Sequence, residues 1–171
     1  EFGNGVSPLI THTESLQKKL QKRFNEEDVH IHIAMRYQNP SMYDELEKMR
    51  VIGYHKIIIL PLFPQYASAS TGSALELAMN IIRKWWVVPE IVTVNQFWDS
   101  EGYIDSIIQR AKEFNVADYD HVLFSYHGLP ERHVDKVYEG TDLCSDFLIH
   151  HYLQRIWSLP ILKCMKGIKK A

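Results

Sequence analysis

The stretch Lys56-Ile57-Ile58-Ile59-Leu60-Pro61-Leu62-Phe63 narrows the fold more than any other part of the chain. Its β-branched, apolar residues do not alternate with polar ones, so a strand built from them is expected to be covered on both faces. Such strands belong to parallel sheets flanked by helices, and the rest of the chain supplies the matching rhythm. Val29, Ile31, Ile33 and Met35 alternate with His30, His32, Ala34 and Arg36, which predicts a strand over 29–36. Ile91-Val92-Thr93-Val94 opens another over 91–97, and His121-Val122-Leu123-Phe124-Ser125 forms one over 121–125. With the strand over 56–62, these are expected to run parallel in an α/β fold with helices on both faces.

Helical patterns fall between the strands. Thr11 and Glu14 read as a capping box ahead of Leu16, Leu20 and Phe24 at spacing four. Ser41 is placed to cap a helix carrying Met42, Leu46 and Met49, which Gly53 stops. A helix is expected from about Ala74 to Trp86 with Leu75, Met79 and Ile82 on one side. Asp99 or Ser100 caps a further one bearing Tyr103, Ile107 and Phe114. Trp85, Trp86, Trp98, Phe97 and Tyr103 read as packing aromatics.

Composition removes several functional classes. The chain has 171 residues, 46% hydrophobic and 23% charged, which suits a globular protein and excludes a disordered one. A formal charge of −2 argues against a nucleic-acid binder. No apolar run approaches the ~20 residues that span a bilayer. Cys144 and Cys164 are too few for a disulfide framework, so a reduced, intracellular protein is expected. The sequence opens at Glu1-Phe2-Gly3 with neither an initiator Met nor a signal peptide, which suggests a fragment, a processed product or a cloning scar. Residues 147–171 hold no Asp or Glu but contain Arg155, Lys163, Lys166, Lys169 and Lys170. This basic segment reads most simply as an exposed terminus.

In parallel sheets, ligands sit beyond the carboxyl ends of the strands. Three segments lie there: Arg36–Pro40, Pro64–Ser73 and Tyr126–Pro130. His127 leads the candidates, because an imidazole at a strand end binds a metal or moves a proton near neutral pH. A histidine held by local hydrogen bonds is the equally natural alternative. Arg36 offers a guanidinium for a carboxylate or phosphate, and Tyr37 a ring for stacking; a surface Arg beside a half-buried Tyr is the plainer option. The hydroxyl-rich loop 67–73 could cradle an anion, although it lacks a phosphate-loop Lys and a G-x-G-x-x-G spacing. His30 and His32 share a strand face but have no supporting ligand nearby, so packing beneath a helix explains them better than metal binding. His133, His150 and His151 read as solvated, and the two Cys residues have no metal spacing.

Together the three loops resemble the successive signatures of the ferrochelatase family. The residues are Met35-Arg36-Tyr37-Gln38-Asn39-Pro40, then Leu60–Tyr66 with Ser70-Thr71-Gly72-Ser73, then Phe124-Ser125-Tyr126-His127-Gly128-Leu129-Pro130-Glu131-Arg132. Ser7-Pro8-Leu9 with Thr13 resembles the segment before them, and the likeness covers about residues 5 to 146. It implies a chelatase-like, Rossmann-like parallel sheet, incomplete relative to the family's two-domain fold. Residues 1–116 would be the remainder of the N-terminal half, 117–146 the start of the C-terminal half, and 147–171 an atypical basic tail.

The activity so implied is insertion of ferrous iron into protoporphyrin IX, a lyase step of heme biosynthesis without an organic cofactor. His127 would bind the metal and accept a proton. Arg36 and Tyr37 would hold the macrocycle and its propionates, with Tyr66 and Ser70 near the cleft. Arg36, Tyr37, Ser70 and His127 are then expected to line one concave surface. Ser68 stands where some eukaryotic members carry a cluster-ligating Cys, so no iron–sulfur cluster is expected. The resemblance implies a cytoplasmic protein and leaves peripheral membrane contact and oligomeric state open. The family's N-L-G-T-like opening and its later His/Glu segment have no counterpart here, so the chain alone is expected to bind porphyrin weakly and turn over negligibly. A catalytically inactive chelatase-like binder of porphyrin or metal is the alternative, and a flavodoxin-like nucleotide module a more distant one.

Overall fold

The apolar run forms strand β1, Lys56–Ile59, in a computed structural model that describes residues 7–114, 118–121, 123 and 128. β1 pairs in parallel with β2, Glu90–Thr93, the two making a two-stranded sheet. The Glu90 amide donates to the His55 carbonyl at 2.9 Å as the second strand begins. The crossover between them is helix α3, Ser73–Ile82, so the expected α/β class holds. Both strands are shorter than the sequence suggests, and Ile58 is 62% exposed while Ile57 is buried. The core covers one face of β1; among the described residues nothing covers Ile58.

The chain divides into two compact units. One contains the chain up to Ile59 together with Ala74–Val92; the other contains Leu60–Ser73 and the chain from Thr93 onward. The core of the first gathers Leu46, Ile57, Ala78, Ile81, Ile82 and Trp85, with Met42, Met49, Tyr54, Leu77 and Ile91 packed against it. In the second, Ile104 is buried and the rings of Phe97 and Tyr103 meet edge to face at 5.6 Å.

Helix α1, Pro8–Arg23, starts earlier than the Thr11 capping box implies. Ser7 is the capping residue without a side-chain bond, and Pro8 opens the first turn, where its missing N–H costs nothing. The Thr11 and Thr13 hydroxyls instead bond back to the Ser7 and Leu9 carbonyls. Leu16 is exposed, and the half-buried stripe runs through Ile10, Thr13, Gln17, Leu20 and Phe24. Helix α2, Met42–Ile52, follows the sequence reading closely: the Ser41 hydroxyl accepts the Asp44 amide at 3.1 Å, and Gly53 ends the helix at φ 82. A residue with a Cβ is strained in that left-handed conformation. Helix α4, Glu101–Lys112, is capped by Ser100, which accepts the Tyr103 amide. Phe114 is exposed past its end.

The expected strand over 29–36 joins no ladder among the described residues; Met35 makes one isolated bridge, to Ser41. Alternation specifies two faces, but a ladder also needs an adjacent strand, and among the described residues β1 is paired only with β2. Two glutamines of α1 take over the pairing. Gln21 donates to the Val29 carbonyl at 2.9 Å and accepts the Ile31 amide at 2.8 Å, while Gln17 donates to the Ile31 carbonyl at 2.7 Å. A carboxamide carries the same donor and acceptor as a peptide group, so Gln21 serves as a one-residue strand. Gln21→Leu, which keeps the bulk but neither bond, is expected to cost about 1–3 kcal/mol. A urea midpoint shift and faster exchange of the Ile31 amide are the readouts; an unchanged midpoint would refute the pairing role.

Helix α3 turns a different side inward from the one its spacing suggested. Ala74, Ala78, Ile81 and Ile82 are buried, while Met79 is 37% exposed. The segment is apolar around most of its circumference, and the small alanines let the helix lie close to the core. Trp85 packs as expected, but Trp86 is fully exposed, contrary to its reading as a packing aromatic.

Candidate functional site

Arg36 and Tyr37 sit on a loop closed by its own backbone. The Met35 amide donates to the Pro40 carbonyl at 2.7 Å, and the Met42 amide returns to the Met35 carbonyl at 3.3 Å. The Asn39–Pro40 peptide within it is cis. Closure places the Arg36 guanidinium over the Tyr37 ring, 4.6 Å from its centroid, with Tyr37 80% exposed. A delocalised cation stacked on an exposed ring suits a flat, apolar ligand that carries carboxylates.

The extended segment leading to this loop is fixed to α2 through His32. Its Nδ1 lies 3.3 Å from Glu45 Oε2 and its Nε2 lies 3.2 Å from the Tyr54 hydroxyl. With the proton on Nδ1, the imidazole donates to Glu45 and accepts from Tyr54, so both nitrogens are satisfied. His30 packs on Tyr54 at 5.5 Å between ring centroids. This is a histidine held beneath a helix, the plainer of its two readings. Among the described residues no group of three His, Cys, Asp or Glu could hold a metal.

Glu45 is the charged group buried at this junction, and Lys48 closes its other oxygen at 2.5 Å. Burial alone would raise its carboxyl, but the hydrogen bonds and charges of Lys48 and His32 outweigh that and hold it below its ordinary value of 4.5. Burial, with the charge of Asp28 second, pushes the Tyr54 phenol up. A lowered carboxyl contributes stability above its unfolded value, and that contribution is lost as pH falls through the folded value. The protein is therefore expected to lose stability on acidification below about pH 4.5, and Glu45→Gln to lose less over that interval. Chemical unfolding across the acid range tests this; parallel curves for the two proteins would overturn it.

Tyr66 and Ser70 lie in the other unit. Ser68–Gly72 makes one turn of π-helix ahead of α3, with the Ser70 and Gly72 amides both donating to the Ala67 carbonyl, at 3.1 and 3.0 Å. A Cβ on Gly72 would lie 2.9 Å from the Tyr66 hydroxyl, so glycine lets that phenol rest against the turn. Tyr66 is 42% exposed and Ser70 half-buried. Three of the loop's amides are withdrawn from anion binding, because those of Ser70 and Gly72 are taken by the turn and that of Ser73 by Ser68 and Ser70.

Thr71, singled out in the sequence only as part of its motif, is fully buried, and its hydroxyl has no hydrogen-bond partner among the described residues. Nothing in a run of small hydroxyl residues marks which of them faces inward. A shallow depression on α4, lined by Ser106, Ile107, Arg110, Ala111 and Phe114, holds none of the candidate residues. His127 and the strand over 121–125 that leads to it lie outside the described residues apart from His121 and Leu123, as do His133, Cys144, His150, His151 and Cys164.

Comparison with known proteins completes the picture. A family model described as Ferrochelatase matches residues 1–148. The chain is 40% identical over 139 residues to a ferrochelatase of Legionella pneumophila (strain Corby), covering 81% of this chain and 40% of that protein. It is 34% identical over 147 residues to a ferrochelatase of Pseudomonas fluorescens (strain Pf0-1), covering 82% of this chain and 42% of the relative. A Pseudomonas putida (strain W619) ferrochelatase is 33% identical over 147 residues, with 82% and 43% covered. The chain thus spans about two fifths of the length of these curated relatives.

Proposed function

The chain belongs to the ferrochelatase family, and from that premise we propose that the protein carrying it inserts ferrous iron into protoporphyrin IX. The observation that carries the reading is the family match over residues 1–148, which takes in all three ordered loops. Iron and porphyrin are substrates in this reaction, and no organic cofactor or iron–sulfur cluster enters it. Two pyrrole N–H protons must leave as the metal arrives. His127 acts as metal-binding group and proton acceptor, for which a positioned base contributes ~10²–10⁴-fold.

Arg36 pairs with a propionate of the macrocycle while Tyr37 lies against its face, a division supported by the guanidinium stacked on an exposed ring. Tyr66 and Ser70 contribute further contacts to the macrocycle. Residues 1–116 belong to the N-terminal Rossmann-like half, 117–146 begin the C-terminal half, and 147–171 form a basic tail. We assign the protein to the cytoplasm on the family resemblance; among the described residues no helix is long and apolar enough to cross a membrane.

The test is porphyrin binding followed by Soret absorbance in the wild-type and Arg36→Ala proteins. Loss of one charge-assisted contact is expected to weaken binding about ten- to a hundred-fold. Equal affinity of the two proteins would remove Arg36 from the site, and no spectral change in the wild type would remove the porphyrin.

A further inference from the structure

The loop that carries Arg36 and Tyr37 is fastened at both ends to one residue of α2. After the loop, the Glu45 amide donates to the Ser41 carbonyl at 3.1 Å. Before it, the Glu45 carboxylate receives His32 Nδ1 at 3.3 Å. Tyr54, past the end of α2, holds the other side of the imidazole: its hydroxyl lies 3.2 Å from Nε2, and the two rings meet edge to face at 5.8 Å. All of these groups belong to the first compact unit. Upstream, Gln17 and Gln21 secure the segment only as far as Ile31. Ile33 and Ala34 have no polar side-chain atom, and the Met35 backbone is spent closing the loop on itself. His32 is therefore the last side chain before Arg36 that hydrogen-bonds the segment to a helix.

We propose that His32 and Glu45 form a clasp that presets the Arg36-Tyr37 pair for the macrocycle, which makes His32 a positioning residue for porphyrin binding. The inference rests on the porphyrin-binding role proposed above for Arg36 and Tyr37. A loop that samples several shapes binds with its intrinsic affinity reduced by the fraction of time spent in the competent one. With the clasp closed the loop is ordered before the ligand arrives, so less binding free energy goes into ordering it. Opening the clasp frees residues 33–40 at one end while Ser41 still caps α2. The helix and its buried carboxylate survive the change, because Lys48 keeps the other Glu45 oxygen at 2.5 Å.

Soret titrations of the protein carrying this chain test the clasp in a double-substitution cycle. His32→Leu is expected to weaken porphyrin binding about tenfold, the fall that follows when the competent loop drops to about a tenth of the population. In the Arg36→Ala background the same substitution should change affinity by about twofold or less, because the charge being positioned is gone. His32→Asn, whose carboxamide N–H stands near the place of Nδ1, should recover affinity to within about threefold of wild type. Equal affinity of the wild-type and His32→Leu proteins would overturn the proposal. So would an equal loss in the Arg36→Ala background, the mark of a general loss of folded protein, or an Asn variant as weak as the Leu one. Each of these outcomes leaves Arg36 in the site. An unchanged Soret band with the wild-type protein would instead remove the porphyrin reading, and this inference with it.

Discussion

Replacing His127 with alanine is expected to slow metal insertion into porphyrin by about two to four orders of magnitude, the usual contribution of a positioned general base. The reaction sets this scale. Entry of a divalent metal into the macrocycle expels two protons, and an imidazole accepts a proton near neutrality without needing burial to tune it. In the role proposed for it the group acts on reacting atoms, so the loss should fall on kcat far more than on porphyrin KM. Zinc or ferrous iron insertion, followed by loss of porphyrin fluorescence, measures it on the gene product. Unimpaired turnover by the His127→Ala protein would remove the residue from the chemistry. A parallel loss in kcat and in porphyrin affinity would assign it to binding instead.

The second large effect is on stability. Ile82 is 2% exposed and sits among Leu46, Ile57, Ala78, Ile81 and Trp85, where α3 meets α2 and β1. Ile82→Ala removes buried methyl and methylene groups and leaves a cavity that the surrounding helices fill only in part. The expected cost is about 2–5 kcal/mol, a large share of the ~5–15 kcal/mol that holds a typical domain together. Met79→Ala, three residues earlier on an exposed side of the same helix, is expected to shift stability by less than about 0.5 kcal/mol. Urea unfolding of the two variants compares them directly; equal midpoint shifts would contradict the buried face described for α3.

The candidate residues stand out in the sequence because motifs are local. Arg36-Tyr37 and the loop around Tyr66 and Ser70 were singled out by their positions after strand-like runs and by their family likeness. The structure then supplied their local geometry: a guanidinium stacked on its neighbouring ring, and a π-turn whose Gly72 admits the Tyr66 phenol. The inward direction of Thr71 and the loss of the loop's amides to its own turn were not readable. Both depend on how the backbone coils, and a run of Ala, Ser, Thr and Gly is compatible with several coils.

By itself the sequence determined the features that one or two turns of chain decide. Ser41 and Ser100 cap their helices, Gly53 stops one, and Lys56–Ile59 becomes a strand, because side-chain reach and backbone φ act over a few residues. Tertiary structure alone decided which face of α3 is buried and that α1 begins at Pro8. It also decided that the alternating run after residue 28 leans on Gln17 and Gln21 rather than on another strand, and that Trp85 turns inward while Trp86 turns out. In each case the chain offered two nearly equal local choices. Burial and hydrogen-bond satisfaction by distant residues, which no short window of sequence contains, selected between them.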